Sequence, residues 1–366
     1  MSKQVLRGAI QKVATGPEFS KNISEEESYD TMMDILDNES DSIQAAIYLI
    51  AMRMKRETME ENIGSLKALI DRSNIITANV DELLDIAEPY NGFLRNTPLS
   101  AFLPAVFSAI GIPCLTHGVN TVGPKFGLTA KKILKASGVN VNNDLQAASD
   151  FLSNENIGWT YIDQEKFCKP LYDLIDLRTR MVKRTILTTI EVLVGPIRAK
   201  NKTHLLTGYV HAAYPPVYSD LAKVAGFDSA VLVKGVEGGV SPALRGDGKV
   251  FYYSNNQEMK ETKFNPKNIS IEQNMRAVPL PDLEKIEDIK LDEISSDINI
   301  DDFSIKAAEI GSDALNGKDG PAKDTLIYTG ALTLSIIKNI DFNVAADQLK
   351  KAINSGKAKE FFYNAK

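Results

Sequence analysis

Apolar residues at three- and four-residue spacing dominate the first 75 positions. Ile43, Ala46, Ile47, Ile50, Ala51 and Met54 form one stripe of a helix that Ser40 or Asp41 can cap, and Glu57, Glu60 and Glu61 load the start of the next. The same spacing predicts a further helix start over Asn79 to Ile86, with Asn79 as its cap, ended by Glu88-Pro89-Tyr90-Asn91-Gly92. After that, short apolar runs alternate with helical stretches. Ile112 to Leu115 leads into a glycine-rich loop, and Ala130 to Ala136 is a helix closed by Gly138. Leu205 to Val210 and Ala230 to Val233 are short strands separated by a helix-like Asp220 to Ala225. Such alternation predicts an α/β domain with a mixed, mostly parallel sheet and helices on its faces. Phe251 to about Ile305 is polar and irregular, with hairpin strands expected at Val250 to Tyr253 and near Met275 to Val278. Two helices, Pro321 to Lys338 and Val344 to Ser355, close the chain, the second ended by Gly356.

The chain has 366 residues, 43% hydrophobic and 25% charged, which excludes a collagenous or low-complexity protein and leaves room for two domains. The most apolar run, Ala101 to Leu115, carries Pro104, Ser108 and Pro113, so no membrane span and no membrane partner are expected. Lys3 and Arg7 precede no continuous apolar region, and Cys114 and Cys168 make neither a disulfide framework nor a metal-ligand spacing; a reducing cytoplasm is expected. The net charge of −6 argues against a dedicated nucleic-acid binder. It is unevenly spread, however: Asp282 to Asp302 holds nine acids against Lys285 and Lys290, a solvated connection in its simplest reading. Lys166 to Lys202 holds nine bases against Asp173, Asp176 and Glu191. No Gly-x-Ser-x-Gly elbow, Walker loop or His/Cys cluster is present.

Three separated blocks carry more information. The first is Ser42 to Glu61, ending in a Gly-Glu-Thr-type turn at Arg56-Glu57-Thr58. The second is Thr116-His117-Gly118 with Lys125 and Gly127; the third is Leu315-Asn-Gly-Lys-Asp-Gly-Pro321 with Asp324 and the later Ile353 to Ala358. Together they resemble glycosyl transferase family 3, the anthranilate phosphoribosyltransferase-like proteins, which share a fold with pyrimidine nucleoside phosphorylases. The resemblance implies a helical domain over residues 1–75, joined by a segment near 170–190, packed on an α/β domain over 76–366 with the active cleft between them. It also implies a homodimer through the helical domain, for which Ile47, Ile50 and Met54 are available.

The catalytic signatures depart from that family. Where its members wrap a diphosphate in Gly-Thr-Gly-Gly-Asp, so that backbone N–H groups reach the phosphate, this chain has Pro89 to Arg95 with one glycine. The family's magnesium-holding Asp-Glu pair falls by register on Ser241 and Pro242, leaving Glu237 as the only acid of its loop. Arg178 and Arg184 match two arginines that precede the family's Asn-x-x-Gly-Pro turn, here Glu191 to Pro196. The resemblance thus implies a divergent branch in which Asn91, Gly92, Arg95, His117, Gly118 and Lys125 face a phosphorylated donor. Arg178 and Arg184 would grip an acidic acceptor group. No metal would be bound by the protein alone, magnesium entering only with a diphosphate ligand. The implied function is binding of a phosphorylated ribose or related anion, with an acceptor other than anthranilate. The alternative is a non-catalytic member that binds single-stranded nucleic acid or another polyanion along the basic strip, with Tyr209, His211, Tyr214 and Tyr218 as stackable rings.

Overall fold

The computed structural model describes residues 2–281 and 300–366, so most of the acidic stretch expected as a solvated connection lies outside the described residues. Four helices open the chain: α1 (Ser2–Val13), α2 (Glu25–Leu36), α3 (Ser42–Lys55) and α4 (Met59–Asp71). Their starts are set by side-chain caps. Ser24 with Glu27, and Thr58 with Glu61, form reciprocal capping boxes, and Asp41 accepts from the Ile43 and Gln44 amides. Helices α2 and α4 touch at backbone distance because Gly64 has no side chain; a Cβ there would lie 2.1 Å from the Glu25 carbonyl oxygen.

The remainder is a layered α/β unit. In chain order it contains β1 (Ile76–Thr77), β2 (Glu82–Ala87), α5 (Leu103–Ala109), β3 (Cys114–Gly118), α6 (Ala130–Ala136), α7 (Leu145–Ser153) and β4 (Trp159–Asp163). Next come α8 (Gln164–Phe167), α9 (Lys169–Asp173), α10 (Ile175–Met181), α11 (Ile186–Ile190), β5 (Ile197–Arg198), β6 (Lys202–Gly208), α12 (Tyr214–Val224) and β7 (Ser229–Val233). The hairpin β8 (Gly248–Ser254) and β9 (Lys260–Phe264) precedes α13 (Ile300–Leu315), α14 (Pro321–Lys338), α15 (Phe342–Asn354) and α16 (Lys357–Asn364). The main sheet runs β4-β3-β2-β6-β7-β8-β9, with the first five strands parallel and β8 antiparallel to both of its neighbours, β7 and β9. One face is covered by α5 and α13 to α16 around Phe102, Phe107, Trp159 and Phe362; the other carries the helical bundle and α12 around Leu69, Leu187, Leu221 and Phe227. Helices α10 and α11 pack against α3 and α4.

Four expectations are corrected. Glu82 to Ala87 is not a helix start but the strand β2 at the middle of the sheet, paired to β3 and β6. Because it is buried on both faces, its apolar residues run together and imitate helical spacing. Thr116-His117-Gly118 is not a loop but the buried end of β3. The second hairpin arm is Lys260 to Phe264, not Met275 to Val278; Arg276 and Val278 instead give their carbonyls to the Leu244 and Thr97 amides. Lys260 to Phe264 escapes a hydropathy reading because it is an edge strand that carries charges. A third closing helix, α16, follows Gly356, whose positive φ of 80° turns the chain instead of ending it.

Candidate functional site

The carboxyl ends of β2, β3, β4, β6 and β7 share one edge, the place where open α/β sheets bind ligands. Two loops meet there. The loop after β2 is fastened to the segment after β3 by Gly127 N–H to Asn91 carbonyl (2.9 Å) and by the paired bonds of Phe93 with Leu128 (3.0 and 2.8 Å). Gly92 has φ 72°, and a Cβ on it would lie 2.6 Å from the Gly127 carbonyl carbon, so glycine alone fits. Asn91 is buried in this seam. Lys125 reaches back and donates to the Gly92 carbonyl (3.1 Å).

The loop after β7 presses against the first. Gly235 bridges to Pro242 and the Val236 amide donates to the Ser241 carbonyl (3.1 Å), so Ser241 and Pro242 close a turn. Neither supplies a carboxylate of the kind magnesium takes. Among the described residues, no group of three or more His, Cys, Asp or Glu side chains could hold a metal. The Phe93 ring lies 2.8 Å from where a Cβ on Gly239 would stand, and the buried Glu88 carboxylate accepts from the Val240 amide (3.1 Å) and from Ser100 Oγ. Burial pushes the Glu88 carboxyl above its usual range despite these two donors.

Between the loops stands Glu237. Its carboxylate accepts from the Leu94 amide (3.2 Å to each oxygen) and the Arg95 amide (2.7 Å), and it forms an ion pair with Lys125. Side-chain exposure is only 12% for Lys125 and 5% for Glu237, so the pair is largely desolvated. Burial pulls the Lys125 ammonium below its usual value and Glu237 opposes that, while the charges of Arg184 and Arg95 add to the lowering. Glu237 has φ 54°, an uncommon left-handed conformation for a residue other than glycine.

Other predicted contacts lie elsewhere. His117 is buried in β3, its Nε2 3.0 Å from Asp85 Oδ1 and its Nδ1 bonded to the Tyr90 hydroxyl. The Asp85 contact is close but poorly aligned, leaving that carboxylate without a well-formed hydrogen bond. Gly118 is the last residue of the same strand, beside the Tyr90 and Tyr161 rings. Both residues are thus buried in β3. Arg178 is also internal, bound bidentately to Glu191 at 2.7 and 2.8 Å, with 4% and 0% of the side chains exposed. It offers no free guanidinium to an acceptor. Arg184 is exposed, and its carbonyl accepts from the Arg53 guanidinium.

The basic strip is broken. Arg198 lies 4.1 Å over the Phe227 ring and donates to the Val194 and Ala225 carbonyls, while Lys169 and Arg180 pair along their own helices with Asp173 and Asp176. Of the rings, His211, Tyr214 and Tyr218 form a ladder with centroid spacings of 6.3 and 5.8 Å, whereas Tyr209 is buried against Phe251. Unforeseen polar groups include Lys131 with Asp163 (2.7 Å), and a buried chain at the opposite end of the sheet in which Ser229 bonds His204 and His204 bonds Glu82 (2.8 Å). The Ser229 hydroxyl is buried, so the latter chain is structural. Only a three-dimensional neighbourhood reveals these pairs.

Comparison with known proteins accords with this architecture. Residues 7–73 match the helical bundle domain of the glycosyl transferase family. An anthranilate phosphoribosyltransferase of Acetivibrio thermocellus is 24% identical over 357 residues, covering 97% of this chain and 94% of that protein. An uncharacterized protein of Aquifex aeolicus is 25% identical over 238 residues, 65% of this chain and 71% of that one. Among solved structures, anthranilate phosphoribosyltransferase from Thermus thermophilus superposes with a TM-score of 0.72 at 16% identity, covering 99% of this chain and 98% of its own. The Saccharomyces cerevisiae enzyme in complex with PRPP and Mg gives 0.75 at 16% identity, covering 98% and 97%. The resemblance read from the sequence blocks is thereby shown, at low identity. Among the described residues no helix is long and apolar enough to cross a membrane.

Proposed function

We propose, for a chain with the helical bundle of the glycosyl transferase family and the fold of the anthranilate phosphoribosyltransferases, that it binds a phosphate-bearing ligand at the mouth of the cleft and is not itself an anthranilate phosphoribosyltransferase. The Lys125 ammonium beside the consecutive Leu94 and Arg95 amides at one point carries this reading. Backbone amides and cations around one concavity are the chemistry of phosphate recognition. Against anthranilate as acceptor stands Arg178, whose guanidinium is spent on Glu191. Magnesium enters, on this reading, only as a complex with the ligand's phosphates.

Isothermal titration with phosphoribosyl pyrophosphate and magnesium tests the reading. Saturable binding that disappears in Lys125→Ala is expected, and no heat at millimolar ligand would overturn it. A second reading, binding of single-stranded nucleic acid, is favoured by the ring ladder of His211, Tyr214 and Tyr218, since bases stack on such platforms. Oligonucleotide binding that weakens steeply between two salt concentrations would replace the first reading with this one.

We also propose a homodimer. A groove of about 630 Å³ between α1, α3 and α10 is lined by Ile43, Ile47, Ile50, Met54, Leu177 and Met181, with Ile43 and Met54 68% and 76% exposed. Contiguous apolar surface of this kind marks association sites. Light scattering should give twice the 40.2 kDa chain mass, and Ile47→Glu should halve it. A single-chain mass for the unaltered protein at micromolar concentration would contradict the dimer.

A further inference from the structure

We infer that Glu237 is the cleft's own ligand: its carboxylate fills the anion position built by the Leu94 and Arg95 amides and Lys125, and an external phosphate group binds only by displacing it. Two consecutive amides directed at one acceptor group form an anion-binding concavity. In this chain both point at Glu237, at 3.2 and 2.7 Å, although it is 143 and 142 residues away in sequence. Lys125 completes the set and is tied to the same loop through the Gly92 carbonyl.

The backbone at Glu237 shows that the contact is held against a local preference. A residue with a Cβ at φ 54° and ψ 16° is disfavoured on its own, and such conformations persist where surrounding contacts over-determine them. Here the carboxylate is fixed from three sides. The flanking contacts add to it: Phe93 against Gly239, Pro89 beside Gly238, and the Val240 amide on Glu88. Together they hold the two loops that frame the cleft mouth against each other. A ligand group reaching the Leu94 and Arg95 amides must take the place of the Glu237 oxygens.

Charge decides which ligands can do so. The position presents the Lys125 ammonium and the Leu94 and Arg95 amides to the single carboxylate of Glu237. A group with one charge gains little by exchange with Glu237, whereas a diphosphate brings more charge and more acceptor oxygens to the same ammonium and amides. Glu237 thereby sets the ligand class, favouring diphosphates over monophosphates and carboxylates. This inference rests on the proposed anion site at the cleft mouth.

The test is calorimetric titration of the whole protein with inorganic pyrophosphate and with inorganic phosphate, comparing the unaltered chain, Glu237→Gln and Glu237→Gly. Glutamine keeps the shape and removes the charge; glycine also suits the left-handed backbone, so folding is kept in at least one variant. We expect pyrophosphate to bind each variant about tenfold or more tightly than the unaltered chain, the scale for removing one close like charge. Phosphate should bind detectably only in the variants. Hydrogen exchange at Leu94 and Arg95 should quicken in ligand-free Glu237→Gly, whether or not anions bind. Equal pyrophosphate affinity in all three proteins would overturn Glu237 as the occupant while leaving the cleft-mouth site standing. Tight binding in the variants with none in the unaltered chain would sustain the inference and refute the proposed function. Absence of binding in all three would overturn both.

Discussion

Replacing Arg178 with alanine should destabilise the protein rather than merely weaken a ligand contact. The guanidinium makes two charge-assisted bonds to Glu191, at 2.7 and 2.8 Å, from a position where neither side chain meets solvent appreciably. Arg178→Ala leaves the Glu191 carboxylate buried beside Tyr90 and Tyr218, both of which feel its charge. Removing one partner of such a pair costs about 3–5 kcal/mol, a large part of the roughly 5–15 kcal/mol that holds a domain folded. Replacing both, as Arg178→Met with Glu191→Leu, removes the stranded charge and should recover most of that loss. Urea denaturation followed by circular dichroism and by the fluorescence of Trp159, the single tryptophan, measures both effects. A loss below about 1 kcal/mol for Arg178→Ala is what an exposed pair gives and would refute a buried structural role.

Glu82 provides a pH test. Burial alone would raise its carboxyl, but the bonds from His204 and Lys338 outweigh that and bring it down to about 2. Because the folded value lies below the ordinary 4.5, its contribution is present above pH 4.5 and is lost as pH falls from there towards 2. Glu82→Gln should flatten that part of the acid-denaturation curve, and an unchanged slope would count against it. Gly64→Ala should cost at least about 2 kcal/mol, since the added methyl would stand 2.1 Å from the Glu25 carbonyl and one helix must move; a melting temperature equal to that of the unaltered chain would show the α2–α4 contact to be looser. Lys125→Met should open the loop pair by removing the cation shared between Gly92 and Glu237, visible as faster amide exchange at Leu94 and Arg95.

Helices were legible where apolar residues recur at helical spacing. α6 has one dry side at Ile133 and Leu134, and α14 is apolar because it is buried nearly all round; the α3 stripe marks a helix, but Ile43, Ile47 and Met54 lie on its exposed side while Ala45, Tyr48, Leu49 and Met52 face the core. β2 was not legible, since a strand buried on both faces has no polar phase to betray its period. The family resemblance implies a loop at Thr116-His117-Gly118, yet the β3 ladder extends through all three. At the site, the sequence identifies Lys125 and Glu237 as the charged residues of two loops but not as each other's partner. That pairing, like Arg178 with Glu191, depends on which loops the sheet order brings together. Charge counting along the chain misled most at Arg178 and Arg198, which contribute to a basic run in sequence and to the interior in space.

Amide NMR of the deuterated, full-length protein during titration with inorganic pyrophosphate tests the cleft-mouth anion site most directly. The account predicts saturable shifts centred on Leu94, Arg95 and Glu237, the residues that share the carboxylate in the ligand-free chain. Saturable shifts confined to other surfaces, with Leu94 and Arg95 unmoved at full occupancy, would contradict it.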